Sequence, residues 1–300
     1  HAESMTSATT SNIANVNDAP TGSVTIGGTA TEDQVLSASN TLADEDGLGS
    51  FSYQWARAGT AISGATSSTY TLVQDDVGSA MTVTVSYTDA QGTAESATSA
   101  ATSAVANVND ASTVAISGTA TEDQVLTASV TDEDGATGTI SYQWARAGTA
   151  ITGATSSTYT LVQSDVGSAM TVSVTFTDDL GTAETATSTA TSAVANVNDA
   201  STVAISGTAT EDQVLTASVT DEDGATGTIS YQWARAGTAI TGATSSTYTL
   251  VQSDVGSAMT VSVTFTDDLG TAETATSTAT SAVANVNDAP TGAVVITGTA

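Results

Sequence analysis

The sequence has no cysteine and almost no basic residues, and each shortage excludes a class of stabiliser or partner. Without cysteine, no disulfide can hold a small domain together. Only 3 Lys and Arg stand against 32 Asp and Glu, which gives a formal net charge of −29. This charge excludes nucleic acid and anionic membranes as electrostatic partners, and it makes cations the natural ones.

Aromatic residues and long apolar runs are also scarce. Aromatic residues make up 4% of the chain, so any domain core is small and marginally stable, and we expect an outside stabiliser such as a bound metal. No apolar run is long enough to span a bilayer, so we expect no membrane insertion. Val, Ile, Leu and Tyr nevertheless alternate with Thr and Ser throughout the chain, which indicates folded β-structure.

A five-residue stretch, Asn-Val-Asn-Asp-Ala, divides the chain into repeats. It occurs at residues 15–19, 107–111, 196–200 and 285–289. Residues 107–195 and 196–284 are identical, and residues 15–106 are a diverged copy, so the period has the length of a small domain. We therefore predict the tail of a preceding repeat (1–14), three repeats (15–106, 107–195 and 196–284) and the start of another (285–300), in a fragment of something longer.

Each repeat reads as about seven short strands separated by turns. In the second repeat the clearest alternation runs from Met170 to Phe176, and an earlier strand carries Tyr142 and Trp144 on one face. The final strand is predicted to extend from Ala183 to Val194. Turn signals recur every 8 to 12 residues and a helical period is absent, so the sequence predicts an all-β antiparallel sandwich in each repeat.

The repeat resembles an immunoglobulin-like domain. The resemblance depends on Trp144 in the third strand, the sequence Gly-Ala-Thr-Ser-Ser-Thr-Tyr-Thr-Leu at 153–161, and the turn at 165–167. The chain resembles more closely the bacterial immunoglobulin-like tandem repeats in the extender region of giant RTX adhesins. This resemblance implies an elongated rod at the bacterial cell surface that holds an adhesive tip away from the cell. Its expected partners are neighbouring repeats of the same chain, with no obligate oligomer.

Acidic turns collect at the predicted ends of the sandwiches. Around the linker between repeats one and two they supply ten carboxylates, from Glu32, Asp33, Asp75, Asp76, Asp110, Asp132, Glu133, Asp134, Asp178 and Asp179. Like charges this close repel, so a neutralising cation is expected, and carboxylate and amide oxygens favour Ca²⁺. The candidate ligands over all linkers are Asp18, Glu32, Asp44, Asp46, Asp76, Asn109, Asp110, Glu122, Asp132, Asp134, Asp165, Asp178, Asn198, Asp199, Asp221, Asp223 and Asp267.

The linker also resembles the Asp-x-Asn-Asp-Asn-Ala-Pro junction of cadherins, in which calcium between domains stiffens the rod. Ala-Pro is present at Ala19-Pro20 and Ala289-Pro290. The turn at 132–134 is similar to the cadherin Asp-x-Asp, and Glu32 and Glu122 are similar to its early glutamate. The alternative is that these acids only make turns and keep the protein soluble.

Catalysis is not expected, because the sole histidine is His1 and the Ser and Thr residues have no partner base. Each arginine, Arg57, Arg146 or Arg235, is expected to stack on an aromatic ring or pair with an acid at a strand end.

The rival function is a glycan-binding or ice-binding module that acts through a row of threonines at 185, 187, 189 and 191. The first repeat breaks this row with Ser96 and Ala100, so we interpret it as an edge strand.

Overall fold

The structure is a computed structural model, and it describes residues 1–289, 291, 292, 295, 297 and 298. In this part of the chain, every regular element is a β-strand, as the sequence predicted, or a single-turn 3₁₀ helix at a position predicted as a turn. Pro290 and the later residues 293, 294, 296, 299 and 300, which belong to the predicted start of another repeat, lie outside the described residues. Among the described residues, none lies in a helix with the length and hydrophobicity needed to cross a membrane.

The same series of seven strands occurs three times. The first series is β1 (Val24–Gly27), β2 (Val35–Asn40), β3 (Ser52–Arg57), β4 (Thr60–Ala61), β5 (Thr69–Thr71), β6 (Met81–Thr88) and β7 (Ala94–Thr98). The second is β8 (Thr113–Ser117), β9 (Val125–Thr131), β10 (Ser141–Arg146), β11 (Thr149–Ala150), β12 (Thr158–Thr160), β13 (Met170–Thr177) and β14 (Ala183–Thr187). The third is β15 (Thr202–Ser206), β16 (Val214–Thr220), β17 (Ser230–Arg235), β18 (Thr238–Ala239), β19 (Thr247–Thr249), β20 (Met259–Thr266) and β21 (Ala272–Thr276). A 3₁₀ helix follows the fifth strand of each series, at Gln74–Asp76, Gln163–Asp165 and Gln252–Asp254.

Each series forms one three-stranded and one four-stranded sheet. In the first series the strand orders are β1-β2-β5 and β4-β3-β6-β7, and the same orders recur as β8-β9-β12 with β11-β10-β13-β14 and as β15-β16-β19 with β18-β17-β20-β21. The pairings within the first and third series are antiparallel. These sheets confirm the predicted fold class of tandem immunoglobulin-like sandwiches.

The core follows from the alternation of apolar and hydroxyl side chains. In β6 the side chains of Met81, Val83 and Val85 are fully buried, and the threonines between them are more exposed. Trp55 on β3 is also fully buried, and its ring stacks on that of Tyr70 with the centroids 5.8 Å apart. The indole N–H of Trp55 donates to the carbonyl of Ser67. The tryptophan therefore lies in the core without an unsatisfied polar atom.

The final strand of each series is shorter than the sequence predicted. β14 ends at Thr187 rather than at Val194, because two side-chain hydroxyls replace backbone carbonyls as acceptors. Ser188 Oγ accepts the N–H of Val172, and Thr191 Oγ1 accepts the N–H of Met170. Beyond Thr191 the chain forms only isolated bridges, from Ala193 to Ala169, from Val194 to Val166 and from Ala195 to Thr121. The prediction that this strand lies at a sheet edge is confirmed for β14.

The chain also divides into two compact units. The first consists of His1–Val114, Val130–Ser141 and Val174–Thr187, and the second of Ala115–Ser129, Tyr142–Ser173 and Ser188–Ala300. This division passes through the second repeat. The repeat boundaries stay a prediction from the sequence.

Candidate metal centres

Three carboxylates meet at the linker before β8, all within the first unit. Glu32 lies in the turn between β1 and β2, Asp110 lies in the linker, and Asp134 lies in the turn between β9 and β10. One oxygen of each lies within 4.8 Å of the other two. Glu32 and Asp134 are only 2% and 3% exposed. Three buried or half-buried negative charges at this separation repel one another, which favours a bound cation.

The second unit contains an equivalent group at the linker before β15. It consists of Glu122, Asp199 and Asp223, and its oxygens also lie within 4.8 Å of one another. We call the two sets the first and second acidic groups. Each brings together residues that the sequence had placed in two separate turns and a linker.

The linker backbone holds both groups in place. In the first, the N–H of Val108 donates to Glu32 Oε2 at 3.2 Å, and the N–H of Asp110 donates to Asp134 Oδ2 at 2.9 Å. In the second, Val197 donates to Glu122 Oε2 at 3.3 Å, and Asp199 donates to Asp223 Oδ2 at 2.8 Å. Each linker is thus hydrogen-bonded to an acid that precedes it and to an acid that follows it.

Several buried oxygen atoms around these groups have no hydrogen-bond donor. In the linker and acidic turns of the first group they are Asn107 Oδ1, Asp132 Oδ2, Asp134 Oδ1 and Asp178 Oδ2, and Gln74 Oε1 in the first 3₁₀ helix is also without a donor. Around the second they are Gln163 Oε1, Asn196 Oδ1, Asp221 Oδ2 and Asp267 Oδ2. Buried acceptors nearly always have a partner. Because every one of these atoms is an oxygen acceptor, a single cation with oxygen ligands could satisfy several of them.

The acidic turn that follows each linker is organised by its own backbone. The N–H of Asp134 donates to Asp132 Oδ1 at 2.9 Å, and the N–H of Asp223 donates to Asp221 Oδ1 at 2.8 Å. Asp178 is 5% exposed, and its Oδ1 accepts the N–H groups of Leu180 and Thr182. Asp267 is held in the same way by Leu269 and Thr271. Asp132, Asp178, Asp221 and Asp267 therefore each keep one oxygen without a donor.

Burial makes the charged form of several of these carboxyls unfavourable. It raises the pKa of Glu32 and of Glu122, and nearby aspartates raise it further, whereas the hydrogen bonds from Val108 and Val197 lower it. Burial likewise raises the pKa of Asp132 and of Asp221. A cation would offset this penalty.

Two glutamates that the ligand prediction missed also hold the linkers. Glu184 Oε1 accepts the side-chain amide of Asn109 at 2.9 Å, and its Oε2 accepts the hydroxyl of Ser112 at 3.2 Å. These bonds, with that from Asn109 the strongest, lower the pKa of Glu184. Glu273 makes the same contacts with Asn198 and Ser201. Glu184 and Glu273 lie on strands β14 and β21 rather than in turns. The sequence marks them only by their equal distance from the next copy of Asn-Val-Asn-Asp-Ala.

Two predicted ligands belong to a different site. Asp165 is fully buried, its Oδ1 accepts Nε of Arg146 at 2.6 Å, and its Oδ2 accepts the N–H of Val162 at 2.9 Å. Asp76 is bound in the same way by Arg57 and Val73. Asp76 and Asp165 are thus each paired with an arginine and belong to neither acidic group, and their assignment as metal ligands stays a prediction from the sequence. The expectation that each arginine pairs with an acid is confirmed, with Asp254 as the partner of Arg235.

Gln163, two residues before Asp165, makes the contact with an acidic group that the sequence predicted for Asp165. Gln163 begins the 3₁₀ helix that ends at Asp165, and its Nε2 donates to Asp223 Oδ1 at 3.0 Å. The turn before β13 therefore reaches the second acidic group through an amide. In the first group, Asp134 Oδ1 has no such donor.

The first linker copy has part of the same arrangement. The N–H of Asp18 donates to Asp46 Oδ2 at 2.9 Å, and the N–H of Asp46 donates to Asp44 Oδ1 at 2.8 Å. Among the described residues, the close three-carboxylate groups are the two at the later linkers. Asp33, Asp75, Glu133 and Asp179 are exposed, and Asp179 holds its turn by accepting the hydroxyl of Thr137.

The raised pKa values predict how calcium-free protein responds to pH. A carboxyl whose pKa is higher in the folded than in the unfolded chain stabilises the folded state at pH values below its unfolded pKa, which is 4.5 for Glu122. This contribution is lost as the pH rises through the higher, folded-state pKa. We therefore expect the melting temperature in chelator to rise as pH falls from about 7 towards 4.5. Thermal melts across this range measure it.

A double variant provides the control for this pH effect. Glu32→Gln with Glu122→Gln removes two of the raised carboxyls and should flatten the slope. Glu184 and Glu273 have lowered pKa values, so their contribution is lost at lower pH and opposes the trend there. Equal slopes for the variant and the unmodified protein would contradict the assignment.

Comparison with known proteins gives structural neighbours only. No protein-family model and no curated protein matches the chain. One similar solved structure is from a 1.5-MDa bacterial ice-binding adhesin, with 16% identity, a TM-score of 0.27, and coverage of 91% of this chain and 99% of that one. Another is a Ca²⁺-stabilised adhesin with which an Antarctic bacterium binds ice, with 18% identity, a TM-score of 0.28, and coverage of 91% and 75%.

A third neighbour is a tetra-tandem repeat from the extending region of a large adhesion protein. It is 20% identical, has a TM-score of 0.27, and covers 86% of this chain and 74% of that one. These neighbours are adhesin domains. They belong to the class of protein that the sequence resembles, and at these identities and TM-scores the likeness carries no conclusion about function.

Proposed function

We propose that this chain is a non-catalytic structural extender of a bacterial surface adhesin, and that Ca²⁺ bound at its linkers makes it rigid. One observation carries the proposal. At two equivalent linkers, an acid that precedes the linker, an acid in it and an acid that follows it converge within 4.8 Å, beside buried oxygens that have no donor. An ion shared by these residues would join both ends of the linker.

The chemistry of the donors favours Ca²⁺ over other common metals. The candidate ligands are carboxylate and amide oxygens, which suit a hard cation with many oxygen ligands. The chain has no cysteine and a single histidine, so it offers no set of soft or imidazole ligands to a transition metal. Mg²⁺ requires a stricter octahedral geometry, which a site assembled from three separate segments is less suited to provide.

A structural role explains the repetition better than catalysis does. The second and third repeats are identical in sequence, and their linkers carry the same hydrogen bonds. The three buried carboxylates that pair with arginines, those of Asp76, Asp165 and Asp254, are fully enclosed in the fold. A general base must instead reach a substrate. In this proposal the chain lies outside the cell, its partners are its own neighbouring repeats, and a separate tip binds the target.

Small-angle scattering tests the proposal directly. The longest strands have eight residues and rise about 3.3 Å per residue, so three sandwiches in line, with their turns and linkers, would measure on the order of 100 Å. We expect an extended particle in millimolar Ca²⁺ and a bending chain in chelator, with the β-structure largely retained by circular dichroism. A compact particle in calcium, or no change in maximum dimension and flexibility after chelation, would exclude the extender proposal.

A paired set of variants localises the effect to one linker. Asp132→Asn with Asp134→Asn should loosen the first acidic group and leave the second intact. Asp221→Asn with Asp223→Asn is the matched variant at the other linker. Each pair should give partial flexibility in calcium, and the two pairs together should reproduce the chelated state.

The alternative is a module that binds glycan or ice through its threonine row. Thr191 weighs against it, because its hydroxyl accepts the N–H of Met170 and donates to the carbonyl of Ser192. Because β14 ends at Thr187, Thr189 and Thr191 also lie beyond the strand. A glycan array and an ice-growth assay separate the two functions, since an extender should be inactive in both.

A further inference from the structure

Tyr87 distinguishes the first repeat from the two that follow. It lies on β6, and the same position is Phe176 on β13 and Phe265 on β20. The hydroxyl of Tyr87 donates to Asp44 Oδ2 at 2.5 Å. The ring of Phe51 packs edge-on against the tyrosine ring, with centroids 5.7 Å apart and an interplanar angle of 89°. The tyrosine is therefore buried and held with its hydroxyl towards the acidic turn.

The phenylalanines leave the equivalent carboxylates without this donor. Asp132 and Asp221 occupy the position of Asp44, and the Oδ2 atom of each is buried without a partner. Their Oδ1 atoms accept the N–H groups of Asp134 and Asp223. In Asp44 the corresponding Oδ1 accepts the N–H of Asp46. Both oxygens of Asp44 are thus hydrogen-bonded, whereas one oxygen of each later aspartate is free.

The free oxygens lie beside other acids that also have unused acceptors. Asp132 interacts electrostatically with Glu184, Asp134 and Asp178. Asp178 is nine-tenths buried and its Oδ2 has no donor. This second unpartnered oxygen indicates that the position accommodates a cation and is more than a cluster of surface acids. Tyr87 faces the corresponding acids of the first repeat, Asp44, Asp89 and Glu95.

We infer that the residue at this strand position decides whether the first acid of the Asp-Glu-Asp turn binds a cation. Phenylalanine leaves Asp132 and Asp221 available as ligands, and tyrosine withdraws Asp44 by hydrogen-bonding its second oxygen. Tyr87 is therefore a residue that determines cation affinity, and the chain carries linker sites of two kinds. This inference rests on the proposed binding of Ca²⁺ at the linkers.

Calcium titration of the full chain tests the inference with exchanges in both directions. Phe176→Tyr should remove about one bound Ca²⁺ or weaken binding at the first acidic group at least roughly tenfold, because one carboxylate ligand is lost. Phe265→Tyr should do the same at the second group, and the two changes should add. Tyr87→Phe should strengthen binding at the first linker copy.

The controls separate this inference from the proposed function. Thr175→Val changes an exposed residue of the same strand and should leave the titration unchanged. Circular dichroism in chelator must match for all variants, and Phe265→Tyr provides an independent site if Phe176→Tyr misfolds. Absence of calcium binding in the unmodified chain would refute the proposed function. Normal binding that neither tyrosine exchange alters would refute the inference alone.

Discussion

Adding millimolar Ca²⁺ to calcium-free protein will raise its melting temperature by about 10–20 °C. A ligand that binds only the folded state stabilises it by about 2.7 kcal/mol at a hundred times its dissociation constant. For a repeat of this size, each 1 kcal/mol shifts the melting temperature by about 4–8 °C. The ligands come from turns that are far apart in sequence, so the unfolded chain offers no comparable site. Differential scanning calorimetry in calcium and in chelator measures the shift.

The acidic groups supply the controls for this prediction. Glu122→Gln with Asp223→Asn removes two members of the second group and should abolish its share of the calcium effect. Glu133→Gln changes an exposed acid in the turn that contributes to the first group and should leave the shift intact. Mg²⁺ at the same concentration should stabilise less, because it demands a stricter geometry. An equal melting temperature in calcium and in chelator would remove the thermodynamic support for a metal at the linkers.

Replacing Asp165 by alanine will destabilise the second repeat by about 3 kcal/mol, with or without calcium. Removing one partner of a buried ion pair costs roughly 3–5 kcal/mol, and the lower end applies because the side chain of Arg146 is 31% exposed. The substitution also leaves the N–H of Val162 and the hydroxyl of Tyr159 without their acceptor. Denaturant unfolding followed in calcium and in chelator measures the loss.

The dependence on calcium decides between the two roles assigned to Asp165. A metal ligand would lose stability only when calcium is present, whereas a partner of Arg146 loses it in both conditions. Asp75→Ala is the matched control in the first repeat, since Asp75 is largely exposed and lies 3.6 Å from Arg57. Its effect should stay below about 1 kcal/mol. A loss for Asp165→Ala that disappears in chelator would instead identify this residue as a metal ligand.

The sequence was sufficient for the class of fold because β-strands follow a local rule. The alternation from Met170 to Phe176 assigns buried and outward faces with a period of two, and β13 has this pattern. The turn residues between strands likewise predicted an antiparallel arrangement. Neither signal marked the end of β14, because that end depends on Ser188 and Thr191 finding N–H groups on a neighbouring strand.

The candidate site was predictable to the extent that topology places turns at the ends of a sandwich. This placement brought Glu32, Asp110 and Asp134 into one prediction, and these residues form the first acidic group. It could not show that Gln163, and not Asp165 two residues later in the same 3₁₀ turn, contacts the second acidic group. It also missed Glu184, whose partner Asn109 is 75 residues away in the sequence.

The sequence by itself determined the absence of disulfides, the large negative charge, the all-β repeats and the oxygen-rich chemistry of the linkers. Only the tertiary structure decided which carboxylates keep a free oxygen and which are already bonded. The physical reason is that a carboxylate can be satisfied equally well by an arginine, an amide, a tyrosine hydroxyl or a cation. Which of these reaches Asp165, Glu184, Asp44 or Asp134 depends on segments that meet only when the sheets are folded.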